Sequence, residues 1–290
     1  MRSHITASLL RAFGMLPLPV PHALGTAVGW LLSVIPNRRQ RTARKNLQLC
    51  FPEMNERARA RLVRNNLIEL GKSVFEVARL WSRDKKGIAR LVRRSHGEEK
   101  LKRELQAGNG VILAIPHLGA WEMVGLYCSM HYPFTALYLA SSSGDVIRKA
   151  RQRFGAKLVP TDNNGIRSLY KALERGEIVG ILPDQVPAKN SGSVFAPFFG
   201  IPASTMVLLS RLAIKTGAPV MFSYAERLPR HFQYDMHFLP APAQINQAPL
   251  ESSVAAVNQM VERCARARPE QYQWFYKRFR VRPAGAAGFY

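Results

Sequence analysis

The rhythm of apolar runs after Gly108 restricts this chain more than any other feature. Residues 110–115 form a short continuous apolar run, 119–131 read as a helix, 134–139 are apolar again, and 145–154 return to helical spacing. The alternation goes on through an apolar 157–159, a helical 164–175, a strand over 177–182, a helix over 203–216, a strand over 219–224, a further extended stretch over 231–239 and a closing helix over 252–268. Short strands that are apolar throughout need cover on both faces, which a parallel sheet with helices on either side provides. The expected fold is therefore α/β: a central mixed or mostly parallel sheet flanked by helices, with an N-terminal hydrophobic anchor helix ahead of it. A chain of 290 residues suffices for one large domain of this kind. No internal repeat or low-complexity linker divides it, so the expected organisation is an anchor over residues 1–37 and an α/β domain over 38–290.

The N-terminal stretch is apolar in a different way. From position 12 to 37 no Asp, Glu, Lys or Arg occurs in 26 positions, long enough at roughly 1.5 Å per helical residue to cross a bilayer core of about 30 Å. Pro17, Pro19 and Pro21 interrupt it, and the clean helical part over 22–35 reaches only about 21 Å. A bent or interfacial anchor fits better than a full span. A cleavable signal fits poorly, because the run lacks a small-residue cleavage site and is followed at once by Arg38, Arg39, Arg41, Arg44 and Lys45. Those charges orient the body of the protein to the cytoplasmic side. The competing reading is an apolar helix capping the core of a soluble domain, and the Gly25/Gly29 spacing is most simply a helix-packing feature.

Charge narrows the partners. Lys and Arg number 42 against 19 Asp and Glu, a net +23, which calls for an anionic partner: nucleic acid, anionic lipid or an acidic protein. No acidic residue precedes Glu53, and residues 38–103 hold 20 Lys and Arg against 7 Asp and Glu, more than half of the excess. Within them, 55–81 reads as a basic amphipathic helix, with Leu62, Leu67, Leu70, Val74, Val77 and Leu80 on one face and Arg57, Arg61, Arg64 and Lys72 elsewhere. A nucleic-acid-binding protein rests on charge alone, since no RNA-recognition aromatic pair or zinc knuckle accompanies it. Cys50, Cys128 and Cys264 are isolated and odd in number, which argues against a disulfide framework and a cysteine-rich metal site.

In an open α/β sheet reactive groups collect where strands end and helices begin. Ile115-Pro116-His117-Leu118-Gly119-Ala120-Trp121-Glu122 lies at such a junction. His117 directly follows a strand, and Glu122 falls in the first turn of the next helix, from which it is expected to fold back and hold the imidazole in one tautomer. Of seven histidines only His117 has an acidic residue at this spacing; the plainer reading is a hydrogen-bonded histidine at a strand end. No G-x-S-x-G elbow occurs, and Gly71-Lys72-Ser73 is no phosphate loop because position 66 is Asn. A histidine and carboxylate without a nucleophile suit direct transfer, in which the base takes a proton from a hydroxyl as it attacks an activated acyl carbon.

These residues resemble the acyltransferases that complete lipid A, the lauroyl and myristoyl transferases related to the glycerol-phosphate and lysophospholipid acyltransferases. The likeness is carried by several blocks: His117 with Glu122, the turn Leu182-Pro183-Asp184-Gln185, the loop Val194-Phe195-Ala196-Pro197-Phe198-Phe199-Gly200, and the aromatic–basic Gln271-Tyr272-Gln273-Trp274-Phe275-Tyr276-Lys277-Arg278-Phe279. Arg44-Lys45-Asn46-Leu47 and Cys50-Phe51-Pro52-Glu53 fit as well.

The resemblance implies transfer of a fatty acyl group from acyl carrier protein to a hydroxyl of a lipid A precursor or related glycolipid, at the cytoplasmic face of a bacterial inner membrane, with no cofactor, metal or nucleic acid. Both substrates and the anionic membrane would be drawn to a chain of charge +23. By the same match His117 is the general base and Glu122 its partner. Arg151, with Arg153 as its neighbour, and Asp184 bind substrate or support catalysis. Their plainer readings are a solvated helix face for the arginines and a turn-capping carboxylate for Asp184. Phe195, Phe198 and Phe199 are candidates for lining an acyl-chain pocket, or for simple core packing. The sequence departs from the family where a Tyr-Arg-Pro stretch is common: it reads Tyr138-Leu139-Ala140 followed by three serines. That missing arginine keeps open an acyltransferase of the same fold acting on another membrane lipid.

Overall fold

The computed structural model describes residues 16–138, 144–187, 192–229, 232–247 and 249–290. Among the described residues, three long helices and one short one precede the sheet. Helix α1 spans Pro19–Val34, α2 spans Arg38–Cys50 and α3 spans Glu56–Ser82. Asn37 and Asn55 cap the second and third, their side chains accepting from the N–H groups of Gln40 and Ala58, which satisfies donors left open at a helix start. A short α4, Lys85–Ala89, leads into the α/β body.

That body follows the order β1 Val92–His96, α5 Glu98–Gln106, β2 Val111–Ala114, α6 Trp121–His131, β3 Phe134–Tyr138, α7 Gly144–Gln152, β4 Lys157–Pro160, α8 Asn163–Glu174 and β5 Ile178–Ile181. A hairpin of β6 Ser193–Phe198 and β7 Ile201–Met206 comes next, then α9 Leu208–Thr216, β8 Val220–Arg227, β9 Tyr234–Pro240 and α10 Leu250–Ala267. The seven-stranded sheet has the order β1-β9-β8-β2-β5-β3-β4. Every pairing in it is parallel except β8 with β9. The α/β class and the mostly parallel sheet are as expected from the alternating pattern.

Both faces of the sheet are buried, and the strand period of two sorts residues between them. Ile112 and Ala114 of β2 join Val179, Ile181 and Phe222 in a core under α8, α9 and α10, with Leu47 of α2 and Leu67 of α3. Val111 and Leu113 turn the other way, to Leu101 of α5, Met123 and Val124 of α6, and Leu80 at the end of α3. This double cover is why β2 reads as an unbroken apolar run.

Three expectations need correction. Helix α1 begins at Pro19, not at residue 22: prolines in the first turn give up only N–H groups that have no helical partner, so Pro19 and Pro21 open the helix instead of breaking it. The helix expected over 203–216 is split, because Ala203 to Met206 pair with β6, Ala196 opposite Ala203, and only Leu208–Thr216 is helical. Strand β1 was not anticipated. Its Arg93 and Arg94 look like a solvated basic run until Asp235 of β9 is placed beside them, Arg93 Nε donating to Asp235 Oδ1 at 2.9 Å.

No helix among the described residues is long and apolar enough to cross a membrane. Helix α1 nevertheless exposes Val20, Leu24, Val28, Trp30, Leu31 and Val34. Its other side is fixed to α3 by two glycines facing Gly71, so closely that a Cβ on Gly71 would lie 2.0 Å from the Gly25 carbonyl oxygen. A buried polar cluster pins the same interface: His22 contacts Glu76 at 3.0 Å, Arg227 donates to Glu76, Glu69 and Ser73, and Tyr234 donates to Glu76 at 2.8 Å.

Candidate active site

The segment 115–120 leaves β2 at its C-terminal end and is held from two sides. Gly119 N–H donates to the Gln271 carbonyl at 3.1 Å and Ala120 N–H to the Ala225 carbonyl at 2.9 Å. Gly119 has φ +60°, and a Cβ there would come 2.1 Å from the Ala225 oxygen, so this position admits only glycine without backbone movement. Leu118 forms a bridge to Tyr272, and Gln273 N–H donates to the His117 carbonyl at 3.1 Å.

The loop after β5 supplies the second half of the site. Asp184, buried at 3% exposure, accepts from the His117 backbone N–H at 2.8 Å through Oδ2 and meets His117 Nδ1 at 2.7 Å through Oδ1. Burial pushes this carboxyl up, but the charge and hydrogen bonds of His117 outweigh it and hold its pKa below the usual value. An ionised carboxylate can only accept, so Nδ1 carries a proton and Nε2 of a neutral ring holds the lone pair. The imidazole is nearly buried, its side chain 12% exposed, with the Trp121 ring 5.4 Å away. Burial and the adjacent Asp184 charge push the Tyr272 phenol well above its ordinary pKa, so a neutral hydroxyl lies beside the carboxylate.

Glu122 has a different partner from the one expected. It accepts from Arg151 Nε at 3.0 Å and from the same guanidinium's Nη2, and it takes a longer contact, 3.3 Å, from Trp81 Nε1. The carboxylate on the imidazole is Asp184, sixty-seven residues along the chain, rather than Glu122. The helical turn that presents Glu122 aims it across α6 at α7, whereas the β5 loop lies beside the His117 loop because β2 and β5 are adjacent strands. Arg151 and Arg153 also part company. Arg153 donates to the carbonyls of Leu80 and Trp81, closing open acceptors at the end of α3, and its guanidinium lies 4.4 Å from the Phe154 ring centroid.

An apolar cavity of about 110 Å³ opens beside the Glu122–Arg151 pair. Trp121, Gly125, Leu126, Leu137, Leu158 and Leu182 are among its lining residues, so it runs between α6 and strands β3, β4 and β5. The phenylalanines expected to line an acyl pocket lie elsewhere. Phe195 is 45% exposed, Phe198 is buried in the core against Tyr272 and Phe279, and Phe199 is boxed in by Phe51, Trp274 and Arg266. Phe198 touches a void of about 10 Å³, room for about one water.

The C-terminal segment locks these loops together. Asn46 of α2 donates to the Trp274 and Tyr276 carbonyls, both at 2.7 Å, and Asn66 of α3 donates to the Tyr272 carbonyl at 2.6 Å. Val186 N–H donates to the Tyr276 hydroxyl at 3.0 Å. Gln185 Nε2 lies 3.2 Å from His117 Nε2 and 2.9 Å from Gln273 Oε1. None of these glutamines and asparagines was singled out for a polar role from sequence. Asn46, Gln185 and Gln273 share one signal, membership of the blocks that match a family, which Asn66 lacks. Cys50, Cys128 and Cys264 are all buried, and burial pushes each thiol up, Cys264 to about 12. No group of acidic, His or Cys side chains among the described residues is arranged to hold a metal ion. The departure from family pattern at 139–143 lies outside the described residues.

A histidine at the C-terminal end of a central strand, braced by a buried aspartate and next to an apolar cavity with an ion pair at its side, has the components of a base-catalysed group-transfer enzyme. A family model for the bacterial lipid A biosynthesis acyltransferases matches residues 2–281, and the chain belongs to that family; it is an acyltransferase. It is 30% identical over 279 residues to the lipid A biosynthesis lauroyltransferase of Escherichia coli K12 and 31% identical over 290 residues to the palmitoleoyltransferase of the same organism, each covering 95% of this chain and 90% of the relative. The myristoyltransferase of that strain is 25% identical over 250 residues, 85% of this chain and 76% of the relative.

Proposed function

We propose that this chain moves a fatty acyl group from acyl carrier protein to a hydroxyl of a lipid A precursor at the cytoplasmic face of the bacterial inner membrane, with His117 as general base and no acyl-enzyme. The observation that carries this reading is the His117–Asp184 contact of 2.7 Å at the end of β2. Asp184 holds the proton on Nδ1 and leaves Nε2 to accept one. As the acceptor oxygen attacks the thioester carbonyl carbon, its proton passes to Nε2. The carbon–sulfur bond then breaks, and the carrier thiolate leaves with the proton from the imidazolium. The charge that Asp184 retains stabilises that imidazolium through the transfer.

Glu122 and Arg151 act together beside the acyl cavity. Glu122 uses two of the five donors of the guanidinium, and the remaining ones can polarise the thioester carbonyl or meet an acidic group on either substrate. The cavity between α6 and β3–β5 takes the hydrocarbon chain, whose burial contributes about 0.8 kcal/mol per methylene.

Membrane attachment draws support from α1, whose apolar residues face outward over most of its circumference. At sixteen residues it would be about 24 Å long, which suits a helix embedded in one leaflet more than a span. Exposed Arg38, Arg39, Arg41 and Arg44 follow it on α2 at the level where anionic headgroups would lie. The deciding assay uses the purified full chain in detergent with acylated carrier protein and a lipid A precursor. His117→Ala and Asp184→Asn should each slow transfer by roughly 10²–10⁴-fold. Full turnover in His117→Ala would end this mechanism, and transfer to a lysophospholipid in place of the precursor would move the acceptor to another lipid class.

A further inference from the structure

His117 Nε2, the atom that must receive the acceptor proton, is already occupied. With Nδ1–H committed to Asp184 at 2.7 Å, Nε2 can only accept, and the group facing it is the Gln185 amide nitrogen at 3.2 Å. The same nitrogen stands 2.9 Å from Gln273 Oε1. A primary amide has two N–H donors, and this geometry uses one on each neighbour. A flipped Gln185 would set its carbonyl oxygen against two acceptors, the bare Nε2 and Gln273 Oε1, so the orientation is fixed by its surroundings. Gln273 is itself tied down, its backbone N–H donating to the His117 carbonyl.

We propose that the Gln185 amide, held by Gln273, is a placeholder for the acceptor hydroxyl: it masks the lone pair of the base until the acceptor displaces it. The inference rests on His117 being the base, and it assigns Gln185 and Gln273 as positioning residues. A hydroxyl that delivers its proton to Nε2 needs the same approach direction, at about 2.6–3.2 Å, so the two cannot be accommodated together. Both glutamines are partly exposed, so the amide has space to withdraw. Masking keeps a water from taking the hydroxyl's place while a thioester is bound without its acceptor.

Chemical modification reads this geometry without catalysis. Diethyl pyrocarbonate attacks the unprotonated imidazole nitrogen, and peptide mass spectrometry distinguishes His117 from the six other histidines. In the full chain without substrates, Gln185→Leu should speed carbethoxylation of His117 by roughly three- to tenfold, the range expected for loss of one neutral hydrogen bond. Gln273→Leu, which leaves Gln185 present but untethered, should speed it in the same direction. In turnover, Gln185→Leu should lower KM for the acceptor by a similar factor and raise acceptor-independent hydrolysis of the acyl carrier thioester. Unchanged or slower modification of His117 in both variants would overturn the proposal, as would a fall in kcat at constant acceptor KM. If instead His117→Ala retains transfer, the mechanism above fails while the modification rates still report whether the nitrogen is masked.

Discussion

The depth of the cavity proposed for the acyl chain gives the sharpest quantitative test, through Gly125. It lies on α6 three residues beyond Glu122, lines the cavity, and a Cβ built on it meets nothing within 4 Å. Gly125→Leu therefore projects four carbons into open apolar space, displacing about three or four methylenes of a bound chain. At about 0.8 kcal/mol for each methylene denied burial, the longest chain accepted by the unsubstituted protein loses ~2.4–3.2 kcal/mol, a factor of roughly 60–200 in kcat/KM. Fold stability should not fall, since replacing a helical glycine by leucine is favourable by up to about 1 kcal/mol. The assay is kcat/KM over a series of acyl carrier substrates differing by two carbons. Chains shorter than the original optimum by four methylenes should be used as well as before. An equal loss at every length, or no change at any, would show that the chain does not bind in this cavity.

Three further outcomes follow from particular contacts. Glu122→Gln should slow transfer by roughly 10²-fold, and adding Arg151→Met should cost little more, because each residue acts through the other; a double-mutant cycle with additive losses would contradict the pairing. Gly71→Val should lower the melting temperature and expose the α1 segment to protease, since its Cβ would meet the Gly25 carbonyl oxygen at 2.0 Å and overpacking costs about 1–3 kcal/mol; unaltered cleavage would argue against the close α1–α3 contact. Acid should loosen the same interface. Burial pushes Glu76 up, but the Arg227 charge and the hydrogen bonds from His22 and Arg227 bring its pKa down from 4.5 to about 2. Its contribution is complete above the ordinary value and is lost as pH falls through about 2, so stability measured between pH 5 and 2 should decline more steeply in the unsubstituted protein than in Glu76→Gln.

The comparison of Glu122 with Asp184 shows where sequence reasoning stops. Both carboxylates belonged to recognisable blocks, and the spacing of His117 and Glu122 invited a local pairing. Five residues on a chain that turns from strand into helix say nothing about which way a side chain aims, and α6 carries Glu122 to Arg151. Asp184 is sixty-seven residues away and reaches the imidazole because β5 hydrogen-bonds to β2. The phenylalanine loop shows the same limit. An apolar run ending in glycine is equally consistent with a channel wall and with a core-packed hairpin, and it took the pairing of β6 with β7 to show Phe198 in the core and Phe195 exposed.

Periodicity and composition were enough for the α/β class, the helices and strands from β2 to β5, the basic character and the position of His117 at a strand end, because these depend on local propensity and on which residues avoid water. The family was legible from block motifs. Which carboxylate serves the imidazole, where the cavity opens, how Gln185 and Gln273 close over Nε2, and how tightly α1 rests on α3 depended on long-range strand order and helix approach. Those are set by burial of whole faces against one another, a property of the folded chain that no window of sequence contains.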